Sequence, residues 1–81
     1  MKHLSYQILK ILSAKNATTS VNSITLNDII DNNINVTRNT INNELQTLEK
    51  FGYVQKGLKR GRAFSYYITT NGINVKTELE N

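Results

Sequence analysis

Residues 37–70 read TRNTINNELQTLEKFGYVQKGLKRGRAFSYYITT, and the order of elements within them decides the fold. Thr37 is placed to cap a helix, and Ile41, Leu45 and Leu48 follow at spacings of four and three as a single buried ridge. Gly52, after Phe51, is the expected terminator, which predicts this helix over residues 38–50. Residues 53–57 and 62–69 are rich in aromatic and β-favouring side chains and flank a short Gly-bounded segment, LKR, a hairpin signal. In its second strand Phe64, Tyr66 and Ile68 share one face by alternation, and Ala63, Ser65 and Tyr67 share the other. Tyr66 and Ile68 are expected to pack inward with Val54.

Working outward, Leu4, Ile8, Leu9, Ile11 and Leu12 fall within a wheel arc of roughly 160°, which predicts a first helix over residues 3–15. Tyr6 lies off that stripe, near Lys10 and Ser13, and is open to two readings: a half-exposed tyrosine or a subunit contact. Residues 16–22 are small and polar, a loop, and Ser23 with Ile24 form a candidate short strand. Thr25 is a good N-cap because Asp28 stands at the capping-box position, so a second helix is expected over residues 26–32, burying Leu26, Ile29 and Ile30. Asn32 and Asn33 are expected to end it in left-handed backbone, with Ile34 and Val36 plugging the turn. Thr69 or Thr70 caps a last helix reaching residue 80, with Ile73 on one side and Val75 and Leu79 nearly opposite. One side is expected to cover the domain and the other to meet a partner.

The whole chain, 81 residues, is thus one domain of three helices, a hairpin and a closing helix. Its hydrophobic fraction of 38% is modest, which favours pairing with a second copy. A formal charge of +4 and a pI near 9.6 suggest a polyanionic partner. The placement says more than the sum: from Lys50 to Arg62 there are five cations, Lys50, Lys56, Lys59, Arg60 and Arg62, and none of the six acids. Twelve asparagines are read as a coding bias without functional weight. The absence of cysteine excludes disulfides, thiol catalysis and zinc-thiolate sites, and permits an intracellular home. Gln7 and Lys10 interrupt the N-terminal apolar run, which argues against a secretory signal, and no segment approaches the roughly 18 apolar residues of a membrane span.

Opposite the ridge of the third helix lie Asn39, Asn43, Gln46 and Lys50, flanked by Asn42 and Thr47, with Arg38 in the exposed first turn. A major-groove reader needs amides that offer donor and acceptor together to a base edge, and guanidinium that forks onto guanine. Arg38, Asn39, Asn42 and Asn43 fit that chemistry at the helix end that contacts bases; a merely solvated face is the plainer alternative. Glu44 and Glu49 are expected on the flanks. In GLKRGR, residues 57–62, glycines permit a tight turn and three cations can extend to phosphates or a minor groove. His3 is the sole histidine, and the chain has neither companions for a metal or nucleophile nor a phosphate-binding glycine loop, so catalysis and cofactors are not expected.

VTRNTINNELQTLEKFGYV resembles the capped recognition helix and following "L-E-x-x-G-y-v" of the winged helix-turn-helix family, particularly small MarR-, PadR- and ArsR-like regulators, and FSYYITTNG resembles the "Y-Y-x-L-T-x-x-G" that closes their wing. The resemblance covers roughly residues 24–75. It implies an α+β winged helix-turn-helix: a three-helix core, a two- or three-stranded β-wing and a C-terminal helix. It also implies that Arg38, Asn39, Thr40, Asn42 and Asn43 read or position bases, joined by Gln46 on the same face. Lys56, Lys59, Arg60 and Arg62, with Lys50, would then hold phosphate. Such proteins are usually twofold dimers, for which Tyr6, Val75 and Leu79 are the candidate contacts. The resulting expectation is a homodimeric double-stranded-DNA-binding transcriptional regulator, a repressor acting by occupancy, located at the nucleoid in the cytoplasm. Its rivals are a low-specificity coating, partition or plasmid and viral accessory protein, and a protein-interaction winged helix.

Overall fold

Helix α1, His3–Ala14, buries Ser5, Ile8, Leu9 and Leu12 along one face, as its apolar arc requires. In the computed structural model, which describes residues 3–32 and 35–81, this helix ends in a motif absent from the sequence-based expectation. Asn16 adopts left-handed backbone (φ 57°), its N–H bonds the Ser13 carbonyl at 3.0 Å, and the Ala17 N–H reaches back to Leu12 at 2.8 Å. That pair of bonds is a Schellman finish, and it drives Ala17 into the core at 0% exposure.

A two-residue strand β1, Ile24–Thr25, leads into α2, Leu26–Ile30. The capping box is present: the Asp28 N–H donates to Thr25 Oγ1 at 3.3 Å, and the Thr25 N–H donates to Asp28 Oδ2 at 3.1 Å. The helix is shorter than expected, and its end has a different cause. Its C-cap Asp31 keeps right-handed backbone (φ −64°), and the Asn32 side-chain amide donates to the Asp28 carbonyl at 2.8 Å, occupying an acceptor at the helix end. Asn33, expected at the helix end, and Ile34, expected in the turn, lie outside the described residues. Val36 is 41% exposed and does not plug the turn.

Helix α3, Arg38–Lys50, has the expected bounds. Thr37 caps it, accepting from the Thr40 N–H at 3.2 Å, and Gly52 follows it at φ 79°. Strands β2, Val54–Lys56, and β3, Ser65–Ile68, join β1 in an antiparallel sheet of order β1-β3-β2, with Val54 opposite Ile68 and Ile24 opposite Tyr66. Val54, Tyr66 and Ile68 turn into the core against Leu9, Leu12, Ile41 and Leu45, confirming the inward face. Ser65, on the opposite face, is nevertheless fully buried, because the loop before β1 folds over it and its hydroxyl lies 2.6 Å from that of Ser23. Gly57 permits this approach: a Cβ there would lie 2.3 Å from Ser23 Oγ. Its role is close contact rather than turn formation.

Helix α4, Thr70–Glu80, starts at the Thr69 cap and packs along α1. Its faces do not divide as the wheel suggested. Val75 is half-buried against the domain's own core, whereas Ile73 and Leu79 are 38% and 43% exposed.

Candidate nucleic-acid interface

The orientation of α3 follows from what it buries. Ile41, Leu45 and Leu48 are exposed by 1% or less, and this ridge turns Arg38, Asn39, Thr40, Asn43, Gln46, Thr47 and Lys50 outward into solvent. Asn42 is half-buried at the edge of that face. Glu44 does not lie on a flank as expected: it is 8% exposed and accepts a hydrogen bond from the buried Ser5 hydroxyl of α1. The carboxylate is thereby turned away from the amide face, which leaves Glu49 as the acid beside it. Glu49 does sit at the flank, half-buried, with its Oε1 3.9 Å from Lys56 Nζ of β2.

Arg38 is exposed, and its guanidinium donates to the side-chain carbonyl of Asn27 on α2. The first turn of α3 is thus braced by the preceding helix, a partner that nothing in the sequence pattern indicated.

The wing tip is a two-residue loop. Arg60 and Ala63 exchange backbone hydrogen bonds at 2.9 and 3.1 Å, and Gly61 between them has φ 64°, the first-position glycine of a II′-type hairpin turn. Arg62 therefore occupies the outermost corner, exposed. Lys56 and Lys59 lie over the ring of Phe64, with ammonium nitrogens 4.5 and 5.3 Å from its centroid. Arg60 points elsewhere than expected: its guanidinium donates to the carbonyls of Val21 at 3.3 Å and Ser23 at 3.1 Å. It fastens the wing to the loop before β1, so Lys50, Lys56, Lys59 and Arg62 remain as the outward cations.

Two of the three candidate dimer contacts also have partners within the chain. The Tyr6 hydroxyl donates to Glu80 at 2.9 Å, and Val75 packs on the core. Accepting the bond makes the Glu80 carboxylate oppose Tyr6 ionisation, which raises the tyrosine pKa. Hydrogen bonds from Lys76 and then Tyr6 lower the pKa of Glu80. Deeper in the molecule, burial raises the pKa of Tyr66, with the Glu49 charge adding to it.

Three core helices, a three-stranded sheet whose hairpin projects as a wing, and a closing helix make this an α+β winged helix-turn-helix. The same architecture is found in TubR from Bacillus megaterium pBM400, which matches 100% of this chain and 89% of its own with a TM-score of 0.86 at 18% identity, a likeness of fold alone. The solution structure of the DNA-binding TubR fragment from Clostridium botulinum matches over 98% of this chain and 96% of its own, with a TM-score of 0.75 and 25% identity. No protein-family model and no curated protein matches the chain. Both neighbours are TubR structures, so the likeness holds for the winged-helix fold and not for the MarR, PadR or ArsR groups in particular.

Proposed function

We propose that this chain binds double-stranded DNA, with α3 entering the major groove and the wing lying on the flanking backbone or minor groove. One observation carries the reading: the amide side of α3 and the wing cations are both exposed, and they adjoin where Lys56 meets Glu49 at the last turn of α3. In this reading Arg38, Asn39, Asn42, Asn43 and Gln46 meet base edges and Thr40 positions the first turn. Lys50, Lys56, Lys59 and Arg62 neutralise phosphates. The neighbour described as DNA-binding supports it.

Two tasks suit such a protein, a repressor that occupies a palindromic operator and a partition or plasmid accessory protein that coats DNA. The neighbour described as DNA-binding is consistent with both tasks. Selection of bound duplexes from a random pool, followed by footprinting, tests the proposal. Protection that spreads cooperatively along arbitrary duplex supports the partition or accessory task, whereas one discrete inverted repeat supports a repressor. No enrichment of any duplex contradicts both.

Pairing of two copies through α1 and α4 belongs to the same proposal. Leu79 remains exposed for it, while Tyr6 contributes only the part of its ring left free by the Glu80 bond. Light scattering that gives a monomeric mass at high concentration would rule it out.

A further inference from the structure

Phe64 differs from the other exposed apolar side chains in its company. Its ring is 48% exposed and stands one residue before β3, on the face that Tyr66 and Ile68 continue into the core. Where that face leaves the core it carries two ammonium groups, Lys56 Nζ at 4.5 Å and Lys59 Nζ at 5.3 Å from the ring centroid. Lys56 Nζ is also 3.9 Å from Glu49, which brings the cluster against the last turn of α3. Core packing does not account for a ring left half in water beside two cations, whereas attraction of ammonium to an aromatic face does.

Lysine stems have many rotamers, and ordering them when a ligand binds opposes affinity. A group that orders them beforehand removes part of that cost. We propose that Phe64 is a positioning residue for DNA binding: its ring holds Lys56 and Lys59 as a preordered cationic pair for the phosphates of one strand, beside the groove that α3 enters. The inference rests on the DNA-binding reading above and adds a residue to it that has no charge of its own.

The test compares the full chain with Phe64→Leu and Phe64→Tyr. Because the ring is half-exposed, both variants should fold, and a thermal melt verifies this before anything else is measured. The first readout needs no DNA: in the NMR spectrum the ε-methylene protons of Lys56 and Lys59 should lie upfield of those of the other lysines, shifted by the ring current, and should return to ordinary positions in Phe64→Leu. The second is duplex affinity across a salt series. Phe64→Leu should bind roughly three- to tenfold more weakly, the scale of lost cation–π contacts, and its salt slope should be shallower by about one. Phe64→Tyr, which keeps an aromatic face, should stay within about twofold of the parent. Unshifted lysine signals in the parent overturn the positioning role, as does a Phe64→Leu chain with parental affinity and slope. A parent chain that binds no duplex overturns the DNA-binding reading and this inference together.

Discussion

The guanidinium of Arg60 donates to the backbone carbonyl of Ser23 at 3.1 Å, across 37 residues of sequence. A cation at the wing that looks free to meet phosphate is instead a structural tie, and the two arginines of the tip are expected to behave differently. Arg62→Ala should weaken duplex binding at low salt and reduce the salt slope by about one, leaving stability within about 0.5 kcal/mol of the parent. Arg60→Ala should cost about 1–2 kcal/mol of stability through the lost charge-assisted bonds, with a smaller change in slope. Urea denaturation and a salt-dependent titration of each variant separate the two roles.

Glu49 neighbours Lys56 at 3.9 Å, with both side chains partly exposed. A phosphate arriving at Lys56 must compete with that carboxylate. Glu49→Gln removes the competitor and a negative charge beside the groove, so duplex affinity should rise by roughly two- to fivefold at low salt, an effect that salt screens. Unchanged affinity at low salt would show that Lys56 does not face the duplex.

The Ser5–Glu44 hydrogen bond lies between α1 and α3, and both residues are buried. Removing one partner leaves the other unsatisfied, so Ser5→Ala and Glu44→Ala should each destabilise the fold by about 1–3 kcal/mol. Glu44→Gln retains an acceptor and should lose less. Chemical denaturation of the three variants provides the comparison, and equal losses for Gln and Ala would argue against the bond.

The Tyr6–Glu80 bond should have a pH window. Glu80 has a lowered pKa, so the stability it contributes is present above its unfolded-state pKa and fades as pH falls through the folded one. Tyr6 has a raised pKa, so its contribution is complete below the ordinary tyrosine range and is lost as pH rises through the folded value. NMR titration should show Glu80→Gln bringing Tyr6 ionisation to lower pH; an unmoved Tyr6 titration would mean the bond does not form in solution.

Local signals carried most of the fold. The Thr37 cap, the Ile41-Leu45-Leu48 ridge and Gly52 bound α3 at both ends, and Thr25 with Asp28 start α2, because each acts through neighbours within four residues. Much of what escaped depended on distant partners: Arg38 with Asn27, Arg60 with Val21 and Ser23, and the Ser23–Ser65 contact on the outer face of β3. Glu44 was within reach of the sequence, since it falls about 40° from Leu48 on the wheel, next to the buried ridge. Phe64 was legible as a face but not as a site, because its meaning comes from where Lys56 and Lys59 end.

In the proposed function the outward side of α3 and the wing cations serve one ligand, duplex DNA. Titration of labelled duplex with the protein at 50 and 200 mM salt measures this directly. With about four phosphate contacts per chain, affinity should fall about a hundredfold or more between the two conditions, most steeply for two copies on one site. Absence of binding at micromolar protein in both, or an affinity indifferent to salt, would contradict it.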